Sequence, residues 1–288
     1  MMRTVAYEDI VKAIRDTIIY STTHLSEDMH KALQEALEKE ESLVSKAVLE
    51  QLLENAEIAA KENKPLCQDT GLAIFFVKMG EDVRVEGGSL KDAIFEGTKK
   101  GYEEGYLRAS TCDCFTRANL KDKIGYNLPP VIYFDIVPGD KIEIEFAAKG
   151  GGSENGSRAR VLAPAQGKEG IKEFVKQVVS DAGPNVCPPI VVGVGIGGSF
   201  DYAAVMSKHA LFRDIGTPNP DPELDAFEKE ILEELNKLGI GAMGMGGTQT
   251  ALAVHIETYK PGRMCHIASL PVAVNIQCHS SRHAHITI

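Results

Sequence analysis

Residues 130–152, PVIYFDIVPGDKIEIEFAAKGGG, mark the point where the periodicity of the chain changes. Val131–Val137 is a near-continuous apolar run, and the stretch after it alternates Ile142, Ile144 and Phe146 with charged residues, the two-residue period of a strand. Pro138-Gly139-Asp140 between them reads as a reversal, so the segment is expected to form two strands joined by a turn. Before this point the pattern is helical. YEDIVKAIRDTIIYSTTHL (7–25) spaces its apolar residues by three and four, and SEDMHKALQEALEKEES (26–42) opens on Ser26 as a candidate N-cap. A third helical stretch runs to Asn63 and Pro65. LAIFFVKMG (72–80) then reads as a buried strand, and SLKDAIFEGTKKGYEEGY (89–106) as a helix with Ser89 and Asp92 in capping-box positions.

Beyond residue 152 helices and strands mix. KEGIKEFVKQVVSDAG (168–183) is a helix ending at Gly183, PIVVGVGIGG (189–198) a buried strand running into glycines, and Asp221-Pro222 starts another helix. ALAVHIETY (251–259) and HIASLPVAVNIQC (266–278) read as strands, and Cys265 and His266 on such a strand point to opposite faces. The expected fold class is α+β, with a helical part over about 1–64 followed by a mixed β-sheet part with flanking helices over about 65–288. No internal repeat or low-complexity linker interrupts it.

The chain has 288 residues, 43% hydrophobic and 25% charged, with a net charge of −10. That balance opposes nucleic acid or an anionic membrane as partner, because both select clustered Lys and Arg. No apolar run is long enough to span a bilayer, so a cytoplasmic protein is expected. The six cysteines, at 67, 112, 114, 187, 265 and 278, are too sparse for a disulfide scaffold and include no C-x-x-C. Any bound metal must draw ligands from distant parts of the chain.

Cys67 in KPLCQDTG, Cys187 in GPNVCPP and Cys278 in NIQCHSS each occupy a turn-like stretch. A lone cysteine is most often an inert buried thiol, but Asp69, two residues after Cys67, is costly to bury without a task. GVGIGG (193–198) satisfies the dinucleotide fingerprint literally, yet GTPNPDPE stands where the acidic residue ending the next strand is required. Nicotinamide binding is therefore not expected, and the glycines are read as permitting close packing. His279, His283 and His285 with Cys278 are a further zinc alternative that lacks a second thiol pair.

Taken together, CQDTG, LRAS, KGGGSEN, PNVCPP, GVGIGGSFD and HIASLPVAVNIQC resemble, in order, the class I iron–sulfur-dependent fumarase and L-tartrate dehydratase family, over the chain from about residue 5. The resemblance implies a [4Fe-4S] cluster held by Cys67, Cys187 and Cys278, with one iron left open as a Lewis acid. It implies Asp69 as the catalytic carboxylate that orients or takes the carbon-bound proton. It implies Gln68, Arg108, Gly151 and His266 as contacts to a small dicarboxylate. The bland alternatives are an Arg108 paired with Glu103 or Glu104 on a helix face, and a His266 satisfied in a core. Thr248 and Gln249 receive no role, and Cys112, Cys114 and Cys265 are read as non-ligands.

Single-chain relatives continue past the equivalent of RHAHI into a second domain. On the resemblance, this chain is the α-subunit of an α2β2 enzyme whose separate β-subunit completes the site. Fumarate to (S)-malate is the expected reaction, with L-tartrate dehydration or hydration of a methylated fumarate as alternatives of the same chemistry. A non-catalytic metal or iron–sulfur binding module is the alternative of a different class.

Overall fold

The structure, a computed structural model, describes residues 2–288. In chain order the regular elements are β1 (Arg3–Ala6), α1 (Tyr7–Thr23), α2 (Glu27–Lys39), α3 (Leu43–Glu62), β2 (Leu72–Gly80), β3 (Val83–Glu86) and α4 (Leu90–Glu104). They continue with α5 (Lys121–Ile124), β4 (Val131–Val137), β5 (Ile142–Lys149), α6 (Gly151–Gly156), β6 (Arg158–Leu162), α7 (Gly167–Ala182) and β7 (Ile190–Ile196). The last are α8 (Phe200–His209), α9 (Pro222–Asn236), β8 (Ala251–Thr258), β9 (Leu270–Gln277) and β10 (His283–Thr287). This is the α+β class the periodicity predicts. No helix is long and apolar enough to cross a membrane among the described residues.

The chain forms two compact units. Unit one holds the chain up to Ser26, Ala56–Gly150 and Arg282–Ile288; unit two holds Glu27–Asn55 and Gly151–Ser281. The helices α1 and α2 thus belong to different units, and the boundary crosses α3.

Unit one is a four-stranded sheet, ordered β10-β5-β2-β4, covered by α1 and α4. Ile10, Ile14 and Ile18 form the buried stripe of α1 and meet Ile94 and Tyr102 of α4 and Phe75, Ile144 and Phe146 of the sheet. The two helices approach closely because α4 offers glycine: a Cβ on Gly97 would lie 2.6 Å from that of Ile14. As read, the Ser89 hydroxyl caps α4, accepting from Asp92 N–H at 3.0 Å. The short β1 and β3 pair in parallel beside the sheet.

The stretch 130–152 forms its two strands, but they are not neighbours. The strand β2 lies between them, parallel to β4 and antiparallel to β5. The Pro138–Asp140 turn bridges over β2, whose end caps it: Gly80 N–H donates to Lys141 O and Glu81 N–H to Val137 O. A turn signal encodes a reversal of direction, whereas the identity of the strand alongside is set by apolar burial. Ala73, Phe75 and Val77 of β2 are buried at the sheet centre.

Unit two is a sheet ordered β6-β9-β7-β8, with α7 and α9 on one face and α8 on the other. Covered on both sides, β7 is buried almost throughout, as its unbroken apolar run requires. Its glycines serve packing: a Cβ on Gly195 would sit 2.0 Å from Ala203 O of α8. Asp221 caps α9 as expected, its Oδ1 accepting from Glu223 N–H at 3.1 Å. Two expectations fail locally. Ser26 precedes α2, but its buried hydroxyl makes no hydrogen bond. Residues 265–269 are a loop, exposed up to Ala268, and not the start of a strand: apart from an isolated bridge at Cys265, pairing begins at Leu270, after the turn closed by Ser269 N–H on His266 O.

Candidate functional site

In unit one the loop from Leu66 to Gly71 joins α3 to β2, and almost every residue of it is held. Leu66 N–H donates to Thr22 O at 2.9 Å. Cys67 is half-buried, its thiol 3.4 Å from Gln68 Oε1, and Gln68 is exposed. Asp69 is half-buried and folds back so that its Oδ1 accepts from Gly71 N–H at 3.0 Å. The hydroxyl of Thr70 accepts from Arg108 N–H at 2.9 Å and lies 3.2 Å from Arg108 O, which fixes the LRAS segment to the loop.

Beneath the loop lies a buried polar layer that no local motif announces. The Tyr102 hydroxyl reaches the carbonyls of Thr70 and Gly71 at 3.1 and 3.2 Å. Burial pushes its pKa up to about 12, so it stays a donor. Asn127 donates from Nδ2 to Gly71 O at 2.5 Å and accepts from Ser110 N–H at 3.0 Å. Arg282 donates from Nη1 to Asp69 O at 2.6 Å. Arg108 lies beyond the end of α4 with its side chain exposed, not on the helix face that bears Glu103 and Glu104, and of these two Glu104 faces Arg15. The helix-face reading of Arg108 is thereby set aside.

In unit two, Cys187 follows a single 3-10 turn, Gly183–Val186, and adopts a left-handed backbone with φ of 55°. A non-glycine residue in that region carries strain that a surrounding structure must hold in place. The clamp is His279: its ring Nδ1 lies 2.9 Å from Cys187 O, and its N–H donates to the same carbonyl at 3.4 Å. Cys278 precedes His279, so the loops bearing Cys187 and Cys278 are stitched together, with His279 as the stitch. Gly151 opens α6, which packs on Gly183–Val186. The KGGGSEN stretch thus leaves β5 at Lys149 and turns into a short helix at Gly151, and Ser157 behind it accepts from Ile276 N–H of β9 at 3.1 Å.

His266 stands elsewhere in unit two. Met264 O accepts from Gly198 N–H, just after β7, and Cys265 forms an isolated bridge with Gly198. Cys187 lies just before the same strand, so the seven-residue β7 separates them by roughly 20 Å. There His266 and Cys265 border a cavity of about 340 Å³ with Lys168, Phe227 and Arg263. His266 is exposed, which rules out a satisfied core histidine; its Nδ1 accepts from Ala268 N–H at 3.1 Å.

Thr248 and Gln249 have a partner that the sequence does not reveal. Their N–H groups donate to the Glu40 carboxylate at 2.9 and 3.0 Å, as do those of Glu41 and Ser42 at 2.8 and 2.9 Å. In sequence, Glu40 is one of a run of glutamates that reads as a solvated helix end.

None of the six cysteines is in a disulfide. Cys67, Cys187 and Cys278 are half-buried on irregular backbone, a donor set that suits soft iron. Cys265, a strand's length from Cys187 and exposed, does not share a centre with it. By donor chemistry the thiols of Cys67, Cys187 and Cys278 each suit iron, and within unit two His279 ties the loops of Cys187 and Cys278 to one another.

The sequence profile of the fumarate hydratase (Fumerase) family matches residues 11–287. A putative L(+)-tartrate dehydratase subunit alpha of Methanocaldococcus jannaschii is 46% identical over 277 residues, 96% of this chain and 94% of the relative. L(+)-tartrate dehydratase subunit alpha of Escherichia coli K12 is 36% identical over 265 residues, 91% of this chain and 84% of the relative. The protein of the same description in Shigella boydii matches to the same extent.

Proposed function

The chain belongs to the fumarate hydratase (Fumerase) family of hydro-lyases, and from that premise we propose that it is the α-subunit of a [4Fe-4S]-dependent hydro-lyase interconverting fumarate and (S)-malate. Residues 1–288 then form one α-type hydro-lyase domain working in the cytoplasm. The observation that carries the reading is the Cys67–Gly71 loop. A thiol and a carboxylate two residues apart are held on a main chain pinned by Thr22, Tyr102, Asn127 and Arg282.

Cys67, Cys187 and Cys278 would hold the cluster. When bound, it supplies a Lewis-acidic iron toward a hydroxyl and a carboxylate of the substrate. The chain's own residues bind and orient. Arg108, its main chain tied to Thr70, offers a planar guanidinium to the other carboxylate in bidentate fashion. Gln68 and the Gly151 N–H give neutral hydrogen bonds that accept a dianion without adding charge. Asp69, with Oδ1 occupied by Gly71 N–H, keeps a fixed orientation for handling the proton on the carbon next to the one that carries oxygen. Fumarate gains one water in total, a hydroxyl on one carbon and a proton on the other.

The relatives named as an alpha subunit support a separate β-subunit that completes the site. In the proposed α2β2 assembly His266 has a place only across copies. It stands a strand's length from Cys187 in its own chain, so its contact with substrate is made in the site of a second copy. Mixing His266→Ala and Cys278→Ser chains, each inactive alone, and reassembling them with β-subunit is expected to restore up to about a quarter of wild-type activity, because one hybrid site holds both residues. No restoration assigns His266 elsewhere.

The second reading is L-tartrate dehydration to oxaloacetate, favoured by the relatives' names. L-Tartrate differs from (S)-malate, the hydrated partner of fumarate, by one hydroxyl, a difference a site can enforce strongly if it carries a partner for that group. Anaerobically purified α/β complex, assayed on fumarate and on L-tartrate, decides between them. The expected result is turnover of fumarate; turnover of neither overturns the proposal.

A further inference from the structure

Arg282, so far only one of the groups that pin the Cys67–Gly71 main chain, is the largest fully buried side chain among the described residues, 1% exposed. A buried guanidinium is costly unless its donors are used. Here Nη1 donates to the Asp69 carbonyl at 2.6 Å, while Nε is buried without a partner. The guanidinium also flanks the Asp69 side chain: a methyl group on Gly150 would lie 3.6 Å from Nη2 and 3.3 Å from Asp69 Oδ2. The backbone of Arg282 is itself anchored, its carbonyl accepting from Ala148 N–H of β5 at 3.0 Å.

We propose that Arg282 is a positioning residue for the hydro-lyase reaction, a rigid strut whose backbone is anchored on β5 and which sets where the Asp69 carboxylate points. The proposal rests on the assignment of Asp69 as the proton-handling group. The layer beneath the loop divides its work. Tyr102 and Asn127 hold the carbonyls of Thr70 and Gly71, whereas Arg282 holds that of Asp69. Removing Arg282 takes away this hold on the Asp69 peptide and leaves the next two tethered. The loss is local, and a scaffold residue would not produce it.

Two measurements test this. In the full-length α chain, without cluster or partner, Arg282→Met is expected to speed hydrogen exchange at Gly71 N–H, the donor to Asp69 Oδ1, by about tenfold or more. Exchange at Val77 and Ile144 in the sheet should stay unchanged. In the α/β complex, kcat should fall roughly 10- to 100-fold with KM within about threefold, the signature of a misaimed group. Iron content should match wild type. Arg282→Lys, which keeps one donor, should recover part of both effects, and it carries the same test if Arg282→Met does not fold. Unchanged exchange at Gly71 overturns the proposal, as does faster exchange spread across β2 and β5, or a raised KM with kcat intact. Because the exchange measurement needs neither substrate nor β-subunit, it separates failure of this proposal from failure of the assigned reaction.

Discussion

Cys187→Ser is expected to leave the anaerobically reconstituted α chain with background iron, on the order of tenfold or more below wild type. Serine takes up the same left-handed backbone at position 187, and its hydroxyl leaves the His279 bonds to the carbonyl intact. The fold therefore survives, and only the ligand atom changes. A hydroxyl is a hard donor with a far higher pKa than a thiol and is a poor replacement on iron. Cys67→Ser and Cys278→Ser should behave alike. Cys112→Ser and Cys265→Ser should keep wild-type iron; Cys265 lies beyond the far end of β7 from Cys187. Iron and sulfide analysis of the five variants is the check, with circular dichroism as the control for folding. Wild-type iron in Cys187→Ser would remove it from the ligand set.

The second large effect concerns Glu40, which is 1% exposed. Burial pushes its carboxyl up, but the hydrogen bonds from Ser42, Thr248, Gln249 and Glu41 N–H outweigh that and hold it at about 2, against an ordinary 4.5. A carboxylate whose pKa is depressed on folding adds stability that is fully present above its unfolded pKa and is lost as pH falls through its folded one. From 4.5 to about 2 that amounts to about 3 kcal/mol. Glu40→Gln, similar in shape but uncharged, is expected to lose about that much at pH 7, a large part of a typical domain's stability. Urea titrations should show the gap between the two proteins narrowing below pH 4.5 and closing near pH 2. A constant gap across that range would mean that the charge is not the source. Space is tight there as well: a Cβ on Gly247 would lie 2.6 Å from Glu40 Oε2, so the loop that wraps this carboxylate tolerates only glycine at that point.

Neither Glu40 nor Arg282 announces itself in the sequence, and the reason is the same for both. Periodicity finds elements because one face of a helix or strand is buried repeatedly. It located α1, α4, α7 and β7, and the Ser89 and Asp221 caps followed from local chemistry. A buried polar residue satisfied by groups some two hundred positions away leaves no periodic trace. Glu40 therefore passes for one more glutamate at a helix end. The neighbours of β4 and β5 are hidden for a related reason. Pro138-Gly139-Asp140 reverses the chain, but the strand beside each partner comes from far upstream. On the candidate site, motif order brought forward Cys67, Asp69, Arg108, Cys187 and Cys278. The structure adds what supports them: Tyr102, Asn127 and Arg282 under one loop, and His279 between two others. For His266, motif order carried no information about which end of β7 it occupies.

The chain's route through the two units has a consequence for synthesis. The edge strand β10 and the guanidinium under Asp69 belong to unit one, yet a ribosome makes them only after the whole of Gly151–Ser281 has emerged. Arg282 must then travel back across 213 positions to reach Asp69. Until it arrives, the nascent sheet exposes the open side of β5, and the Asp69 carbonyl lacks its Arg282 donor. The order of translation thus makes the closing of this sheet edge and the Arg282 contact to the Asp69 carbonyl wait for the synthesis of unit two.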